Sequence, residues 1–302
     1  MTVAAVDAQT LIDATGLGAV YALMAVGIGL VFGVLRLINF AYGQLIMVGA
    51  YTLAFTASWP VAASIAACFV VVVALSTVMD RVVFRPLRGE SPAVMLVTTF
   101  AIAFVLQAAA LLVDIRDDTI GEIATSIASF NQPIEIGSLD VRKITILAVV
   151  VTALALALLA ALLTRTTIGL HMRAAATDFS TARLLGVNAE RVIGFAVLLS
   201  GLIAATVAVI LTVQNPFVGP DFALRETIVV LVGVVVGGID RLWTATLGGF
   251  AIGFATGVIN GVLPTDKSVY LPSAVFALVI LVLLLRPGGL FAWGRQTAVE
   301  RM

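Results

Sequence analysis

Charge is scarce in this chain: Asp, Glu, Lys and Arg together make up 11% of its 302 residues. Soluble domains carry about 25%, so a surface of ordinary polarity facing water is excluded. There are only two lysines, Lys143 and Lys267. The first is followed by Ile144, and the second is preceded by Asp266 rather than glycine. Neither fits a phosphate-binding loop, which needs Gly-x-x-x-x-Gly-Lys-Ser/Thr so that backbone amides and a lysine can hold phosphates. Any ATP hydrolysis linked to this chain is therefore expected on another. The single cysteine, Cys68, lies in an apolar run, which rules out an intrachain disulfide and a cysteine metal cluster. The single histidine, His171, sits in a polar stretch with no metal-ligand spacing around it. Met1–Thr10 lacks the basic start of a signal peptide, and the apolar stretch after it runs too long for one, so it reads as the start of a first helix. Net charge is zero, and the total makes no case for nucleic acid.

What the chain has in excess is apolar side chain: 61% of residues are hydrophobic, with a mean hydropathy of +1.16. The bilayer is the solvent that fits, and each crossing needs about 20 apolar residues. Uncharged stretches recur at Ala14–Leu35, Leu37–Met79, Ser91–Val113, Ile144–Thr164, Val192–Pro220, Leu242–Thr265 and Ser268–Leu285. Leu37–Met79 is long enough for two spans, with a break at Ser58, Trp59 and Pro60, residues suited to a membrane surface. A shorter piece, Thr227–Ile239, holds Gly233, Gly237 and Gly238. The expectation is an all-α, polytopic transmembrane bundle of about nine spans, in the range eight to ten, forming one transmembrane domain over residues 1–302. With nine spans and the N-terminus outside, the C-terminus is cytoplasmic. The cytoplasmic side then collects Arg36, Arg81, Arg85, Arg88, Arg165, Arg173, Arg183, Arg191, Arg241, Arg286, Arg295 and Arg301. Arg116, Arg142, Lys143, Arg225 and Lys267 fall outside. Twelve against five is the bias that cytoplasmic loops carry. Residues 114–142 become an external loop that caps the bundle or meets an external partner. Residues 165–191 become a cytoplasmic loop rich in alanine and arginine.

Proton-coupled carriers keep acids or histidine inside their spans. The only such group near a span interior here is Asp240, beside Arg241 at an expected cytoplasmic end, where an interfacial ion pair is the simpler reading. An ion-coupled secondary carrier is thereby disfavoured, and an intramembrane enzyme has no paired acids or Ser/His pair to use. Gly249, Gly253, Gly257 and Gly261 recur every four residues on one helix face, which suits close helix packing or a sliding, pore-lining contact. The segment Gly33–Gln44 places Asn39, Tyr42 and Gln44 where apolar side chains would cost less. It reads as a tight cytoplasmic turn or a broken helix, its amides either satisfying exposed backbone or lining a substrate path. Gly33, Arg36, Leu37 and Gly43 match Gly238, Arg241, Leu242 and Gly248 at one offset, as an internal transporter repeat would. In the inner loop, Gly169–Asn188 reads as a short amphipathic helix with Thr177 or Asp178 at its start and Gly186 at its end. Ala182 and Leu185 would share one face, with Leu184 adjacent, a surface suited to docking on protein.

These segments resemble the permease subunits of branched-chain amino acid ABC importers, the LivH-like proteins. The likeness rests on Ala19-Val-Tyr-Ala-Leu through Arg36-Leu-Ile-Asn-Phe-Ala-Tyr-Gly-Gln44, on Asp80-Arg-Val-Val-Phe-Arg-Pro-Leu-Arg-Gly89, and on Arg173-Ala-Ala-Ala-Thr-Asp through Leu184-Leu-Gly-Val-Asn188. Gly237-Gly-Ile-Asp and Arg286-Pro-Gly-Gly-Leu290 also fit. The resemblance implies a multi-pass subunit of the bacterial inner membrane, surrounded by lipid. Its partners would be a second, LivM-like permease, two cytoplasmic ATPases carrying ATP and Mg, and a periplasmic binding protein. This chain itself would hold no cofactor. A coupling helix in the family docks on the ATPase, and that role falls here on Ala174–Asn188, with Ala174, Ala175, Ala176, Asp178, Arg183, Leu184 and Gly186 as its residues. Ala-Ala-Ala stands where many ABC importers have Glu-Ala-Ala. Tyr42 stands where the family commonly has histidine, and Gly237-Gly-Ile-Asp-Arg241 where it has Gly-Gly-Ile-Gly-Ser. Relatives of this family also import urea, short amides and other amino acids, so the resemblance leaves the substrate open among them.

Overall fold

The computed structural model describes residues 7–35, 39–87, 90–116, 122–124, 127, 131–136, 139–177, 179–238 and 241–285. It is an α-helical membrane bundle. Seven helices are long and apolar enough to cross a bilayer. They are α1 (Ala8–Leu35), α3 (Val61–Met79, continued by a π-helical turn Asp80–Phe84), α4 (Pro92–Arg116), α5 (Lys143–Arg165), α8 (Ala189–Gln214), α10 (Leu242–Val262) and α11 (Leu271–Leu285). Two further apolar helices, α2 (Tyr42–Phe55) and α9 (Leu224–Gly237), have 14 residues each. At 1.5 Å per residue that is about 21 Å, short of the roughly 30 Å of hydrocarbon. Against the expected nine or so spans, the described residues hold seven full-length helices and two half-length ones.

The breaks follow local chemistry. The α2–α3 break falls at Thr56–Pro60, as the proline and tryptophan predicted. Pro92 opens α4, with the Ser91 hydroxyl accepting a hydrogen bond from the Val94 N–H (3.4 Å), and Asn188 caps α8 by accepting from the Arg191 N–H (3.1 Å). The stretch read as Val192–Pro220 ends sooner: α8 stops at Gln214 and the chain turns back into the bundle.

Central packing comes from α1, α8 and α10. Each glycine of the α10 stripe faces α1. A Cβ on Gly249 would meet Ala25 Cβ (2.5 Å), one on Gly253 would meet Tyr21 Cβ (2.8 Å), and one on Gly257 would meet Ala14 Cα (2.5 Å). At Gly261 it would meet Thr10. Only hydrogen lets these backbones approach so closely. By contrast α3, α4, α5 and α11 leave Val70, Phe104, Leu158, Ile280 and Leu284 exposed, the surface that lipid or a partner subunit covers.

One end of the bundle, here the Pro216 end, gathers the start of α1 and the small strands. Strand β1 (Glu122–Ile123) pairs antiparallel with β4 (Phe217–Val218), and β2 (Pro133–Ile136) forms a hairpin with β3 (Leu139–Arg142). The Gln9 amide donates to the Asp140 carbonyl (2.9 Å) and accepts from its N–H (3.2 Å). The described parts of the 114–142 loop therefore cap this end. The opposite, Gly186 end carries α6 (Thr167–Thr177) and α7 (Phe179–Leu184).

Candidate translocation site

The half-length helices begin inside the bundle, and their N-termini meet. A Cβ on Gly43, in the first turn of α2, would come 2.5 Å from Thr227 Oγ1 and 3.2 Å from the Ala223 carbonyl at the start of α9. Depth is fixed by α8: Ser200, near its middle, donates to the Gly27 carbonyl (2.8 Å), and the Tyr42 side chain lies directly against the same Gly27. Neither half-helix has a side-chain N-cap. Ala223, which precedes α9, takes the left-handed conformation (φ 63°), the only non-glycine to do so among the described residues. That costs an alanine about 1–2 kcal/mol, and such strain concentrates at functional positions.

The three polar residues singled out in the sequence divide here. Asn39 is buried and serves the backbone: its Oδ1 accepts from the Ala41 N–H (3.1 Å). Tyr42 and Gln44 are fully buried, and the Tyr42 hydroxyl and both Gln44 amide atoms have no hydrogen-bond partner among the described residues. Orphaned polar atoms of this kind are rare in native interiors. Arg36, between α1 and this segment, lies outside the described residues.

On the Pro216 side of this meeting point lies a cavity of ≈ 410 Å³. Its polar lining includes Tyr21, Asn215, Asp221, Arg225, Glu226 and Asn260. Asn215, Asp221, Arg225 and Asn260 are exposed, so the cavity opens to the surface. Tyr21 reaches it by lying over Gly253. On the Gly186 side, the crevice among Asn39, Ser76, Met79, Phe84 and Ser200 has no room for a water molecule. Phe84 of the π-helical turn is buried there. Arg85, just beyond, donates to Glu190 at the start of α8 (2.6 Å). Among the described residues the chamber therefore opens at the Pro216 end, and the crevice at Asn39 and Phe84 offers no passage toward the other.

Sequence reasoning missed two buried acids. Asp114, 1% exposed, accepts from the Tyr51 hydroxyl (2.9 Å), and Asp80 is 8% exposed. Asp240, the acid singled out instead, lies outside the described residues. The missed signal was position: each ends a long apolar run, where a packed partner can hold it. Arg225 and Glu226 were missed as site residues because Arg225 was assigned to an outer loop. The signal available was a charged trio, Asp221 to Glu226, following Pro216, Gly219 and Pro220 in a chain otherwise poor in charge.

At the Gly186 end, α7 closes in a Schellman turn, with the Val187 N–H donating to the Ala182 carbonyl (3.0 Å) and Gly186 at φ 88°. Ala182 and Ala175 are buried, Ala174 and Ala176 partly so, while Leu184 and Leu185 stand 88% and 80% exposed. Thr177, expected to cap this helix, instead ends α6 and donates to the Arg173 carbonyl (3.0 Å). Asp178 lies outside the described residues, as do the Arg286–Leu290 motif and the side chain of Arg183.

Broken helices meeting in mid-bundle, with a chamber leading to them from one side, define a membrane permease: a protein that moves a solute between the two faces of a bilayer. Residues 10–285 match the family described as branched-chain amino acid transport system / permease component, and the chain belongs to that family. It is similar to the high-affinity branched-chain amino acid transport system permease protein BraD of Pseudomonas aeruginosa, with 30% identity over 295 residues that cover 93% of this chain and 94% of the relative. The LivH permease proteins of the same description from Salmonella typhimurium and Escherichia coli are 29% identical over 303 residues, with the same coverage. No solved structure matches the chain. It is accordingly a multi-pass inner-membrane transport protein.

Proposed function

We propose that this chain is the passive translocation subunit of an ATP-driven importer that carries leucine, isoleucine and valine across the inner membrane. The observation that carries the reading is the pair of half-length helices meeting at Gly43, between the buried and unpartnered Tyr42 and Gln44, in a chain of this family. A passing solute supplies in turn the hydrogen bonds those polar atoms lack.

The chain crosses the membrane nine times, two of the crossings made by an irregular segment followed or preceded by a half-helix. Its N-terminus is outside and the Gly186 end is cytoplasmic, in keeping with the excess of arginine there. The Pro216 chamber then faces the periplasm, where a binding protein delivers the substrate. The exposed Leu184 and Leu185, held out by the turn at Gly186, dock on one of two cytoplasmic ATPases that bind ATP and Mg and do the hydrolysis. A second permease of LivM type completes the membrane unit. ATP-driven closure of the ATPases pulls on α6 and α7, and the bundle switches from the periplasmic opening to a cytoplasmic one.

Uptake of labelled leucine into proteoliposomes holding both permeases and both ATPases tests this. Uptake that needs ATP and binding protein is expected. Urea uptake in place of leucine would keep the architecture and replace the substrate, and transport by the isolated chain without ATP would contradict the reading.

A further inference from the structure

The chamber at the Pro216 end carries more charge than transport of a neutral solute requires. Three of the chain's few charged side chains, Asp221, Arg225 and Glu226, line it. None of them makes a hydrogen bond or ion pair among the described residues. Arg225 and Glu226 are consecutive in the first turn of α9, so they project about 100° apart and do not neutralise each other. The floor adds to the pattern. Of the first-turn N–H groups of α9, those of Leu224 and Thr227 donate to Asp221 and Ala223 carbonyls (both 3.0 Å). Those of Arg225 and Glu226 have no partner among the described residues, and with no side-chain cap they favour an anion. Part of the remaining wall is apolar, with Leu17, Val229, Leu271 and Val275, and Asn215 and Asn260 are among its uncharged polar residues. A volume of ≈ 410 Å³ lies within the range of small-ligand sites.

We infer that this chamber is a receiving site for a free α-amino acid in its zwitterionic form. Arg225 and the first-turn amides of α9 take the carboxylate, Glu226 and Asp221 take the ammonium, and the apolar wall takes the aliphatic side chain. The strained turn at Ala223 aims the amides into the chamber. The permease thus reads both charges of its substrate itself, after the binding protein has released it. This rests on the proposed import of amino acids and assigns the residues that recognise them.

The test is equilibrium binding of labelled leucine to the assembled importer in nanodiscs without binding protein, with leucine uptake measured on the same preparations. Saturable binding is expected, displaced by valine and isoleucine but not by leucinamide, which lacks the carboxylate, or by 4-methylpentanoate, which lacks the ammonium. Arg225→Gln and Glu226→Gln are each expected to weaken binding by about tenfold or more, the loss of one charge-assisted contact, with Arg225→Lys retaining part of it. Displacement by both analogues as well as by leucine would overturn the inference, as would binding within about twofold of wild type in both glutamine variants. Unchanged leucine binding with loss of binding-protein-stimulated ATP hydrolysis would assign these charges to docking and overturn it too. Absence of ATP-dependent leucine uptake by the wild type would instead remove the proposed function, so the two failures are distinct.

Discussion

Both polar atoms of the Gln44 amide are buried without a partner among the described residues, and so is the Tyr42 hydroxyl. An unsatisfied buried group costs about 1–3 kcal/mol, and a leucine of similar size at position 44 would remove that cost. Gln44→Leu is therefore expected to raise thermal stability by that amount while cutting ATP-dependent leucine uptake by about tenfold or more. A fall in stability would instead mean that the amide serves the fold. The sequence flagged Asn39, Tyr42 and Gln44 together, because each is expensive in an apolar segment. It could not separate them: Asn39 bonds its own turn at Ala41, and only backbone geometry determines that. Arg225 and Glu226 stood out in the sequence only as charge after a turn, for a related reason. Their place at the floor of a chamber depends on the chain turning inward at Ala223, and alanine, unlike glycine, gives no sign of a left-handed residue.

At the scale of helices, apolar run length identified the elements well, and caps and prolines located most breaks. It overcounted full spans because composition does not register where a helix starts. Thr227–Ile239 and the first half of Leu37–Met79 are apolar, yet the helices described there, α9 and α2, have only 14 residues each. The glycine period read from sequence has its counterpart in the face of α10 that meets α1. Not all glycines act alike. An added Cβ at Gly253 meets Tyr21 and the backbone of Gly18 within 3 Å, whereas at Gly33 it meets nothing within 4 Å. Gly253→Ala is expected to destabilise by about 1–3 kcal/mol through overpacking. Gly33→Ala should stabilise by up to about 1 kcal/mol through helix propensity. Thermal unfolding of the two variants in detergent checks the contrast. The sequence also anticipated a helix ended by Gly186, but not that α6 would precede it as a separate piece. Leu184 is largely exposed and touches little of this chain, so Leu184→Glu should leave the permease inserted and stable while its ATPases no longer co-purify with it. Normal co-purification would remove α7 from the docking surface.

For the whole molecule, charge distribution and fold agree on one arrangement. The Gly186 end holds most of the described arginines, the closed crevice at Phe84 and the α7 surface. The Pro216 end holds the open chamber and the strands. A solute path between them passes, in the proposed account, the meeting of α2 and α9 at Gly43, next to the buried Gln44. The structure as described has that path open only toward the Pro216 end, and alternation requires that it later open toward the other. The repeat suggested by Gly33 and Gly238 fits this plan in one respect: each glycine lies near a break between a long helix and a half-length one, at the Gly186 end.

The most direct test places a single reporter on that path. In a Cys68→Ala background, Gln44→Cys in the assembled importer would be exposed to a membrane-impermeant thiol reagent from each side, with and without trapped ATP. The account predicts labelling from the periplasmic side in one nucleotide state and from the cytoplasmic side in the other. A thiol that stays unlabelled from both sides in every state would place Gln44 off the path and contradict the account.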